Sequence, residues 1–472
     1  MRKTKIVATV GPACRDEKIM RALIREGVDV VRINASHTTV QGLCEWIVFV
    51  RSVAASLKKD LPILVDLQGP RVRTGQLREK RPLLLRSGDE VLMTVSSAPG
   101  AEGIITTTCR ELPLMVKKGD AVLLDNGLMR LKVLGKAGKT VQLRVLAGGL
   151  LGENKGINLP QAPVTLPALT PKDKVALKAA AAMGVSYVAL SFVRSRDDVE
   201  TVKAFLKKRR STIPVIAKIE KPRAVTHIGD ILSAADGIMV ARGDLGIELG
   251  VERVPAIQKE LIERSNAYGV PVITATQMLE SMMDKTTPSR AEVSDIANAV
   301  FDGTDAVMLS GETAVGKFPV ETVRMMARII VEAERRAQQR VGEPGGGDRF
   351  STAARSIAHA AYHAAEEMKA KAIVAFTVSG KTALLVSKLR PEVPVIAMAS
   401  SEKVALRLQL LRGVYPLTMV YSKSTDSMVH KADQAVISMG FMRRGDYAVL
   451  VSGKQALPAA RFMAKIHCVG DH

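Results

Sequence analysis

Short runs of apolar and β-branched residues alternate with segments of helical periodicity over about the first 330 residues of the chain. Strands that alternate with helices form a parallel sheet, and eight strand–helix units close into a barrel. The pattern therefore predicts the α/β fold class, with a (β/α)8 TIM barrel as its main body. The eight predicted strands lie at 5–10, 28–34, 62–67, 185–192, 214–220, 237–243, 271–276 and 305–310.

A segment with a different pattern of apolar and polar residues interrupts this alternation, from about Gln76 to Leu159. It contains many short pieces in which apolar and polar residues alternate, such as EVLMTV and TVQLRVL, separated by glycine turns. We therefore expect a small all-β domain inserted after the third barrel strand.

A Gly/Pro-rich break, VGEPGGGDRF, follows the predicted helix that ends near Arg340. Beyond it, KAIVAFTV, VPVIAMA and YAVLVS again alternate with helical segments, which predicts an open α/β domain at the C-terminal end. The predicted domains are 1–75 (barrel, first part), 76–159 (inserted domain), 160–340 (barrel, second part) and 341–472 (C-terminal domain).

Composition narrows the class of protein. The 472 residues are 47% hydrophobic, and the four cysteines form no CxxC pair, which predicts a soluble cytoplasmic protein without a disulfide framework or zinc knuckle. No apolar segment approaches the length of a membrane span, so we expect no membrane partner. The net charge of +21 admits anionic partners of any size. Aromatic residues make up only 3% of the chain, which argues against a nucleic-acid partner.

Polar side chains follow nearly every predicted barrel strand at its C-terminal end, where the chemistry of such barrels lies. This clustering in one register predicts an active site at that end. The residues concerned are Arg32, Asn34, Ser36 and His37 after the second strand, Asp66 after the third, Lys218 and Glu220 in the fifth, Arg242 and Asp244 after the sixth, and Thr274, Thr276 and Gln277 after the seventh.

Lys218 and Glu220 are two residues apart on a strand, so their side chains leave the same face. Buried charges cost several kcal/mol unless they are paired or bind a metal. A structural ion pair is one interpretation of this pair. The other is a metal site, because Glu220 and Asp244 bring carboxylates from neighbouring strands without histidine or cysteine, a set that suits Mg²⁺.

The segment RGDLG opens the next helix, and its amides at Gly243 and Asp244 can hold a small anion there. Arg32, Arg73 and Lys218 add positive charge. The residues therefore predict a multiply charged anion held on a divalent metal. Phosphoryl transfer is the reaction class that such a site serves best.

Several motifs resemble those of the pyruvate kinase family, in that family's order. They are TKIVATVGPA, VRINASH, DLQGPRVRTG, NKGINLP, IAKIEKP, DGIMVARGDLGIE and the long segment PVITATQMLES through SGETAVGKFP. The resemblance covers nearly the whole chain. In its architecture the chain resembles the bacterial members of the family, because it lacks the N-terminal extension of animal-type members. It implies transfer of a phosphoryl group from phosphoenolpyruvate to ADP, giving pyruvate and ATP in the final step of glycolysis.

The resemblance also implies roles for the residues at the strand ends. Lys218 would neutralise charge on the transferring phosphoryl group and on the enolate, and Arg32 would contact the substrate phosphate. Thr276 would position a proton and, with the amides of Gly243 and Asp244, hold the substrate carboxylate. The divalent metal, Mg²⁺ or Mn²⁺, would be held by Glu220 and Asp244.

The nucleotide would be contacted from the barrel and from the inserted domain, which acts as a lid. The positions that match the family's nucleotide contacts are Asn34, His37, Arg73 and Lys155.

Asn34, Ser36, Asp66 and Leu67 match the family's ligands for a monovalent cation. At Arg71 this chain departs from the potassium-dependent members, which have a carboxylate there. A fixed guanidinium near that position could replace the charge of the ion. We therefore expect activity without K⁺.

The C-terminal domain has a candidate anion loop between a strand and a helix, at Thr377, Ser379, Lys381 and Thr382. The resemblance implies that a phosphorylated effector binds there and regulates an enzyme that is a homotetramer. A plain strand-to-helix connection is the alternative interpretation of the loop.

The residues alone are also compatible with two other classes of protein. A magnesium-dependent aldolase or lyase would also need a lysine and two carboxylates at strand ends, but it would not need ADP. A basic nucleic-acid-binding protein would show steep salt dependence of polynucleotide binding.

Overall fold

The computed structural model describes residues 1–160, 166–336, 349–422, 424–454, 456 and 461–471. Eight parallel strands form a closed barrel, which confirms the predicted (β/α)8 architecture, and each of the eight predicted runs contains one of them. The first strand pairs with the eighth, with Lys5 opposite Ala306. The barrel strands are Lys5–Thr9, Val30–Asn34, Ile63–Asp66, Tyr187–Leu190, Val215–Ile219, Gly237–Ala241, Val272–Ala275 and Ala306–Leu309.

Helices cover the outside of the barrel, and their ends carry ordinary capping signals. Ser289 and Glu292 form a capping box at the start of one helix, and Gly303 ends the same helix in the left-handed conformation. The barrel helices are Glu17–Glu26, Val40–Ser56, Pro171–Ala182, Arg196–Lys207, Pro222–Thr226, Ile228–Ala234, Arg242–Leu249, Val254–Ala267, Arg290–Asp302, Gly311–Ala314 and Pro319–Arg336, with 3-10 turns at Pro12–Cys14, Val251–Arg253 and Glu280–Met283.

The inserted segment forms a separate all-β domain with its own apolar core, as predicted. Its six-stranded sheet shows the alternation that a half-buried strand requires: in the strand Met129–Ala137, buried and exposed residues alternate over the first five positions. The strands are Glu90–Val95, Ile104–Thr107, Ala121–Leu124, Met129–Ala137, Thr140–Ala147 and Ile157–Asn158, with a two-stranded sheet of Leu83–Leu85 and Gly149–Leu151, a helix at Leu112–Met115 and a 3-10 turn at Arg78–Lys80.

Two chain segments connect this domain to the barrel, and they pair with each other. The amide of Ile157 donates to the carbonyl of Val72 at 2.9 Å, and the amide of Thr74 donates to the carbonyl of Lys155 at 2.8 Å. We call these two segments, 70–74 and 155–159, the hinge.

The C-terminal domain is an open five-stranded sheet, as predicted, with its last strand antiparallel. The strands, in sheet order, are Val414–Thr418, Val395–Ala399, Ala372–Thr377, Tyr447–Ser452 and Met463–Cys468, and the helices are Thr352–Glu367, Lys381–Lys388, Glu402–Leu408 and Thr425–Ser438. The predicted boundary between residues 340 and 341 lies outside the described residues. In the described part of the chain, no helix combines the length and the hydropathy needed to cross a bilayer.

The C-terminal domain closes the N-terminal end of the barrel. Leu410 is completely buried in the same cluster as Val7, Leu64 and Ile273, which line the barrel interior. Lys388, also completely buried, forms an ion pair of 2.5 Å with Asp305 at the start of the eighth strand. The end of the barrel that carries the predicted chemistry is therefore the opposite one, which faces the inserted domain.

Leu410 gives a test of this docking. Leu410→Ala is expected to lower the free energy of unfolding by about 2–5 kcal/mol, because it leaves a cavity at the base of the barrel. Leu150→Ala, at a leucine that is 66% exposed in the inserted domain, is the matched control and should change stability little. Urea unfolding of both variants measures the difference, and equal unfolding curves for them would contradict the assigned role of Leu410.

Candidate active site

Lys218 lies at the centre of a buried cluster of charges at the C-terminal end of the barrel. Its Nζ is 2.8 Å from Glu220 Oε1 and 3.4 Å from Asp66 Oδ2. It also donates to Ser191 Oγ at 2.7 Å. Burial alone would lower the pKa of Lys218, but Asp66 and Glu220 outweigh burial and raise it. The two carboxylates therefore favour the charged ammonium form of the side chain.

Glu220 is almost fully buried, and both of its oxygens have donors. Oε1 faces Lys218, and Oε2 accepts a hydrogen bond of 2.6 Å from the amide of Phe192. Burial raises the pKa of Glu220 to about 7, with Lys218 opposing the shift and the nearby carboxylate of Asp244 adding to it. The two carboxylates thus form a site at which a further cation would be stabilised.

Arg32 and Lys218 converge on a single carboxylate. Arg32 contacts Asp66 Oδ2 through Nε at 2.8 Å and Nη2 at 2.7 Å, and its Nη1 donates to Thr9 Oγ1 at 2.9 Å. Burial alone would raise the pKa of Asp66, but Lys218 and Arg32 hold it below its usual value. With Glu220 included, the cluster holds two cations and two carboxylates, and Arg32 and Lys218 are the groups in it that can bind a phosphate group.

The helix Arg242–Leu249 positions Thr276. The amide of Gly243 donates to Thr276 Oγ1 at 2.8 Å, and Arg242 Nη2 donates to the Thr276 carbonyl at 2.7 Å. Thr276 and Gln277 both have left-handed backbone conformations, with φ of +72° and +54°. Arg242 therefore stabilises an unfavourable turn that places the threonine hydroxyl beside the helix N-terminus.

Glu220 and Asp244 fit a divalent metal. They offer hard carboxylate oxygens, and Asp244 lies in the first turn of its helix, at the edge of an open cleft. Among the residues that the structure describes, no group of three or more histidine, cysteine, aspartate or glutamate side chains could enclose an ion. A metal with two protein ligands would complete its coordination with water and substrate oxygens, as Mg²⁺ commonly does.

A cleft of about 800 Å³ separates the barrel from the inserted domain. Asp244 lines it from the barrel, and Asn126 and Arg130 line it from the inserted domain. Burial lowers the pKa of His37, and the positive charges of Arg73, Arg32, Arg71 and Lys172 lower it further. Several positive charges therefore lie close to His37, as a nucleotide phosphate site requires.

The four candidate nucleotide residues come from the barrel and from the hinge. Arg73 Nη1 donates to the carbonyl of Asn154 at 2.8 Å, and Lys155 Nζ forms an ion pair of 3.0 Å with Asp125. Asn34 Oδ1 accepts from the amide of Ser36 at 3.0 Å. Arg73 and Lys155 thus belong to the hinge, and their positions depend on the inserted domain.

Arg71 contacts the inserted domain. Its Nη2 lies 3.2 Å from Asn126 Oδ1 of the inserted domain, because the residues after Pro70 run along the cleft. The cations that contact the candidate monovalent ligands are Arg32 and Lys218, at Asp66, and Lys172, whose Nζ donates to the Ser36 carbonyl at 3.1 Å. The Leu67 carbonyl already accepts from Ser191 Oγ at 2.8 Å.

The candidate effector loop lines a separate cavity of about 360 Å³ in the C-terminal domain. Thr377 Oγ1 accepts from the amide of Gly380 at 3.0 Å, and Gly380 needs its positive φ of +88° to make this turn. Ser379, Lys381 and Thr382 line the same cavity, and so do Arg349 and Lys454, two cations that sequence reasoning did not single out.

Ser191, Phe192 and Lys172 are the main site residues that the sequence analysis missed. Ser191 and Phe192 follow the fourth barrel strand, so the same register that identified the other strand ends would have included them. Lys172 gives no such signal, because it lies on an outer helix and reaches Ser36 only in the folded chain.

A closed barrel with a buried lysine and paired carboxylates at its C-terminal end, and with further positive charges near His37, defines a barrel enzyme that acts on an anionic substrate. The family model for the pyruvate kinase barrel domain matches residues 1–323, and that for the pyruvate kinase alpha/beta domain matches residues 355–467. The chain therefore belongs to the pyruvate kinase family.

Individual relatives agree over the full length. Pyruvate kinase 2 of Synechocystis is 40% identical over 99% of this chain and 79% of that protein. The pyruvate kinase of Thermotoga maritima is 39% identical over 96% of each. The crystal structure of a pyruvate kinase from Cryptosporidium parvum has a TM-score of 0.93 at 33% identity, covering 99% of this chain and 96% of that one.

These findings confirm the predicted family and enzyme class. The protein is a phosphotransferase of glycolysis that converts phosphoenolpyruvate into pyruvate by transfer of the phosphoryl group to ADP, with a divalent cation as cofactor. They decide against the lyase and the nucleic-acid-binding protein.

Proposed function

We propose that Lys218, Arg32 and Thr276 carry the reaction, and that Glu220 and Asp244 hold the divalent metal, Mg²⁺ or Mn²⁺. The observation that supports this most directly is the buried ammonium of Lys218, 2.8 Å from Glu220 and 3.4 Å from Asp66. When bound, the metal neutralises charge on the phosphate oxygens.

Phosphoryl transfer needs positioning and charge neutralisation more than a covalent nucleophile. The bond between phosphorus and the enol oxygen breaks, and a bond to the terminal phosphate oxygen of ADP forms. Arg32 orients the transferring group, and Lys218 stabilises its charge together with the charge left on the enolate oxygen. Both cations already face Asp66, so they reach the same point without rearrangement.

The enolate then takes up a proton at its terminal carbon and becomes pyruvate. The amides of Gly243 and Asp244 hold the substrate carboxylate at the helix N-terminus. Thr276 contributes its hydroxyl, which is 2.8 Å from the Gly243 amide, and it positions the proton. The turn that Arg242 stabilises keeps this hydroxyl in place.

The nucleotide occupies the cleft under the inserted domain. We assign its phosphate contacts to Arg73 and Lys155 of the hinge and to Asn34 and His37 of the barrel. The positive charges of Arg73, Arg32, Arg71 and Lys172, which add to burial in lowering the pKa of His37, support this assignment.

We further propose regulation and assembly as the resemblance implies. A phosphorylated effector binds at Thr377, Ser379, Lys381 and Thr382, and the lining of that cavity by Arg349 and Lys454 supports an anionic ligand. The enzyme is a homotetramer. A cytoplasmic location is supported by four cysteines that all have free thiols.

We also propose that activity does not require K⁺. The candidate ligands for that ion already have other partners: Asp66 contacts Arg32 and Lys218, and Ser36 contacts Lys172. These protein cations, with Arg71 farther up the cleft, supply the positive charge.

An assay of pyruvate release tests both the reaction and the potassium requirement. With Mg²⁺ and without K⁺, we expect release from phosphoenolpyruvate only when ADP is present, at a rate within about twofold of the rate with K⁺. Release that ignores ADP would contradict the kinase reaction. Release that appears only after K⁺ is added would keep the reaction and refute potassium independence.

A further inference from the structure

Glu248 is a buried carboxylate without a role in the reaction described above. It lies on the helix Arg242–Leu249, and its side chain is 0% exposed. Its Oε1 accepts from Asn158 Nδ2 at 2.8 Å and forms an ion pair with Nζ of Lys221. Asn158 belongs to the last strand of the inserted domain, whereas Lys221 belongs to the barrel. One carboxylate therefore joins the two domains.

The neighbours of these residues in sequence are the proposed metal ligands. Lys221 directly follows Glu220, and Glu248 lies four residues after Asp244 on the same helix face. A shift of Glu248 would therefore move the backbone next to both ligands. Asn158 is in turn three residues from Lys155, the hinge residue assigned to the nucleotide.

The arrangement costs stability. Among the described residues, Oε2 of Glu248 has no hydrogen-bond partner although it is buried. A buried oxygen without a partner costs about 1–3 kcal/mol, and a buried ion pair is often less stabilising than an apolar pair of the same volume. Departures of this kind are typical of functional positions.

Through the hinge, the contact between Glu248 and Asn158 affects the position of the inserted domain. The segments 70–74 and 155–159 connect that domain to the barrel, and they are held together by the pairs Ile157–Val72 and Thr74–Lys155. Asn158 is the hinge residue that donates a hydrogen bond to Glu248 of the barrel. Arg73 and Lys155 belong to the same hinge, so this hydrogen bond bears on their positions.

We propose that Glu248 is a positioning residue that couples the orientation of the inserted domain to the positions of Glu220, after the fifth strand, and Asp244, on the helix Arg242–Leu249. This inference rests on the proposed function, in which those carboxylates hold the metal and the hinge residues hold ADP. Nucleotide binding under the inserted domain and metal geometry in the barrel are thereby linked through one side chain.

Glu248→Gln tests the link with little change of shape. Glutamine keeps the shape of the side chain, but without the charge Lys221 no longer fixes it, and its hydrogen bond to Asn158 becomes weaker. We expect amide hydrogen exchange in the hinge segment 155–159 to become about tenfold faster, and KM for ADP to rise about tenfold, with a smaller change in KM for phosphoenolpyruvate. A purely structural role would reduce the amount of folded enzyme and leave KM for ADP unchanged.

Two further variants distinguish the proposed effect of Glu248 from a loss of folding. Glu263→Gln, at an exposed position on the helix Val254–Ala267, makes the same chemical change and should behave as wild type. The apolar pair Lys221→Met with Glu248→Leu should fold at least as stably as Glu248→Gln and still show the raised KM for ADP. Wild-type hinge exchange and wild-type KM for ADP in either Glu248 variant would overturn the proposal.

The metal assignment is tested separately by titration with Mn²⁺, followed by electron paramagnetic resonance. If Glu220→Gln binds Mn²⁺ as tightly as wild type, the proposed metal site is wrong, and a link to the metal ligands fails with it. If Glu220→Gln loses Mn²⁺ while Glu248→Gln keeps wild-type hinge exchange, the metal site stands and the coupling through Glu248 is refuted.

Discussion

Lys218→Met is expected to lower kcat by about 10³-fold or more while the chain still folds. The substitution removes the ammonium that faces Asp66 and Glu220 and that stabilises the transferring phosphoryl group. Removing a single preorganised donor from a transition-state site costs about 10²–10³-fold in rate, and here a full charge is lost in a buried setting.

The same substitution breaks a buried ion pair, so the free energy of unfolding should fall by about 3–5 kcal/mol. Lys174→Met is the control, because Lys174 is exposed on the helix Pro171–Ala182 and the variant should keep wild-type activity and stability. Steady-state kinetics with thermal unfolding of both variants make the comparison. A kcat within tenfold of wild type in folded Lys218→Met would refute the role of Lys218.

Glu220→Gln is expected to raise the metal concentration for half-maximal activity by more than about a hundredfold. A carboxamide still accepts from the amide of Phe192, so the loop keeps its shape, but it binds a hard cation poorly and no longer pairs with Lys218. Activity at fixed Mg²⁺ should fall in proportion. Activation curves with Mg²⁺ and with Mn²⁺ give the measurement.

Glu312 provides a matched control for this experiment. It is also a buried carboxylate after a barrel strand, but it accepts from the amides of Leu279 and Ser310, at 3.1 and 2.7 Å, and has no place in the proposed metal site. Glu312→Gln should therefore lower stability without changing the metal requirement. Equal metal activation in wild type and Glu220→Gln would show that the metal is held elsewhere.

The barrel could be predicted because its strands are buried on both faces and end in polar residues. The pairing of Lys218 with Glu220 could also be predicted, since it depends only on the period of one strand. The contact of Lys218 with Asp66 could not, because it depends on how the third and fifth strands tilt in the closed barrel.

Contacts between domains were the least predictable from the sequence. The direction of Arg71 depends on Asn126, which approaches it only when the inserted domain is folded above the barrel. Glu248 carries no signal in its own neighbourhood, because Asn158 and Lys221 come from distant parts of the chain. Local periodicity identifies strands and their faces but contains no information on such approaches.

The inserted domain interrupts the sequence of the barrel, and this order affects how the chain folds during synthesis. The apolar core of the inserted domain is made almost entirely of residues 72–159, so it can form as soon as that segment has left the ribosome. The first barrel strand, by contrast, must await the eighth, since Lys5 pairs with Ala306. At ribosomal rates of about 5–20 residues per second, its edge stays open for roughly 15–60 s. The nascent barrel is therefore the part of this enzyme most exposed to aggregation and most dependent on chaperones.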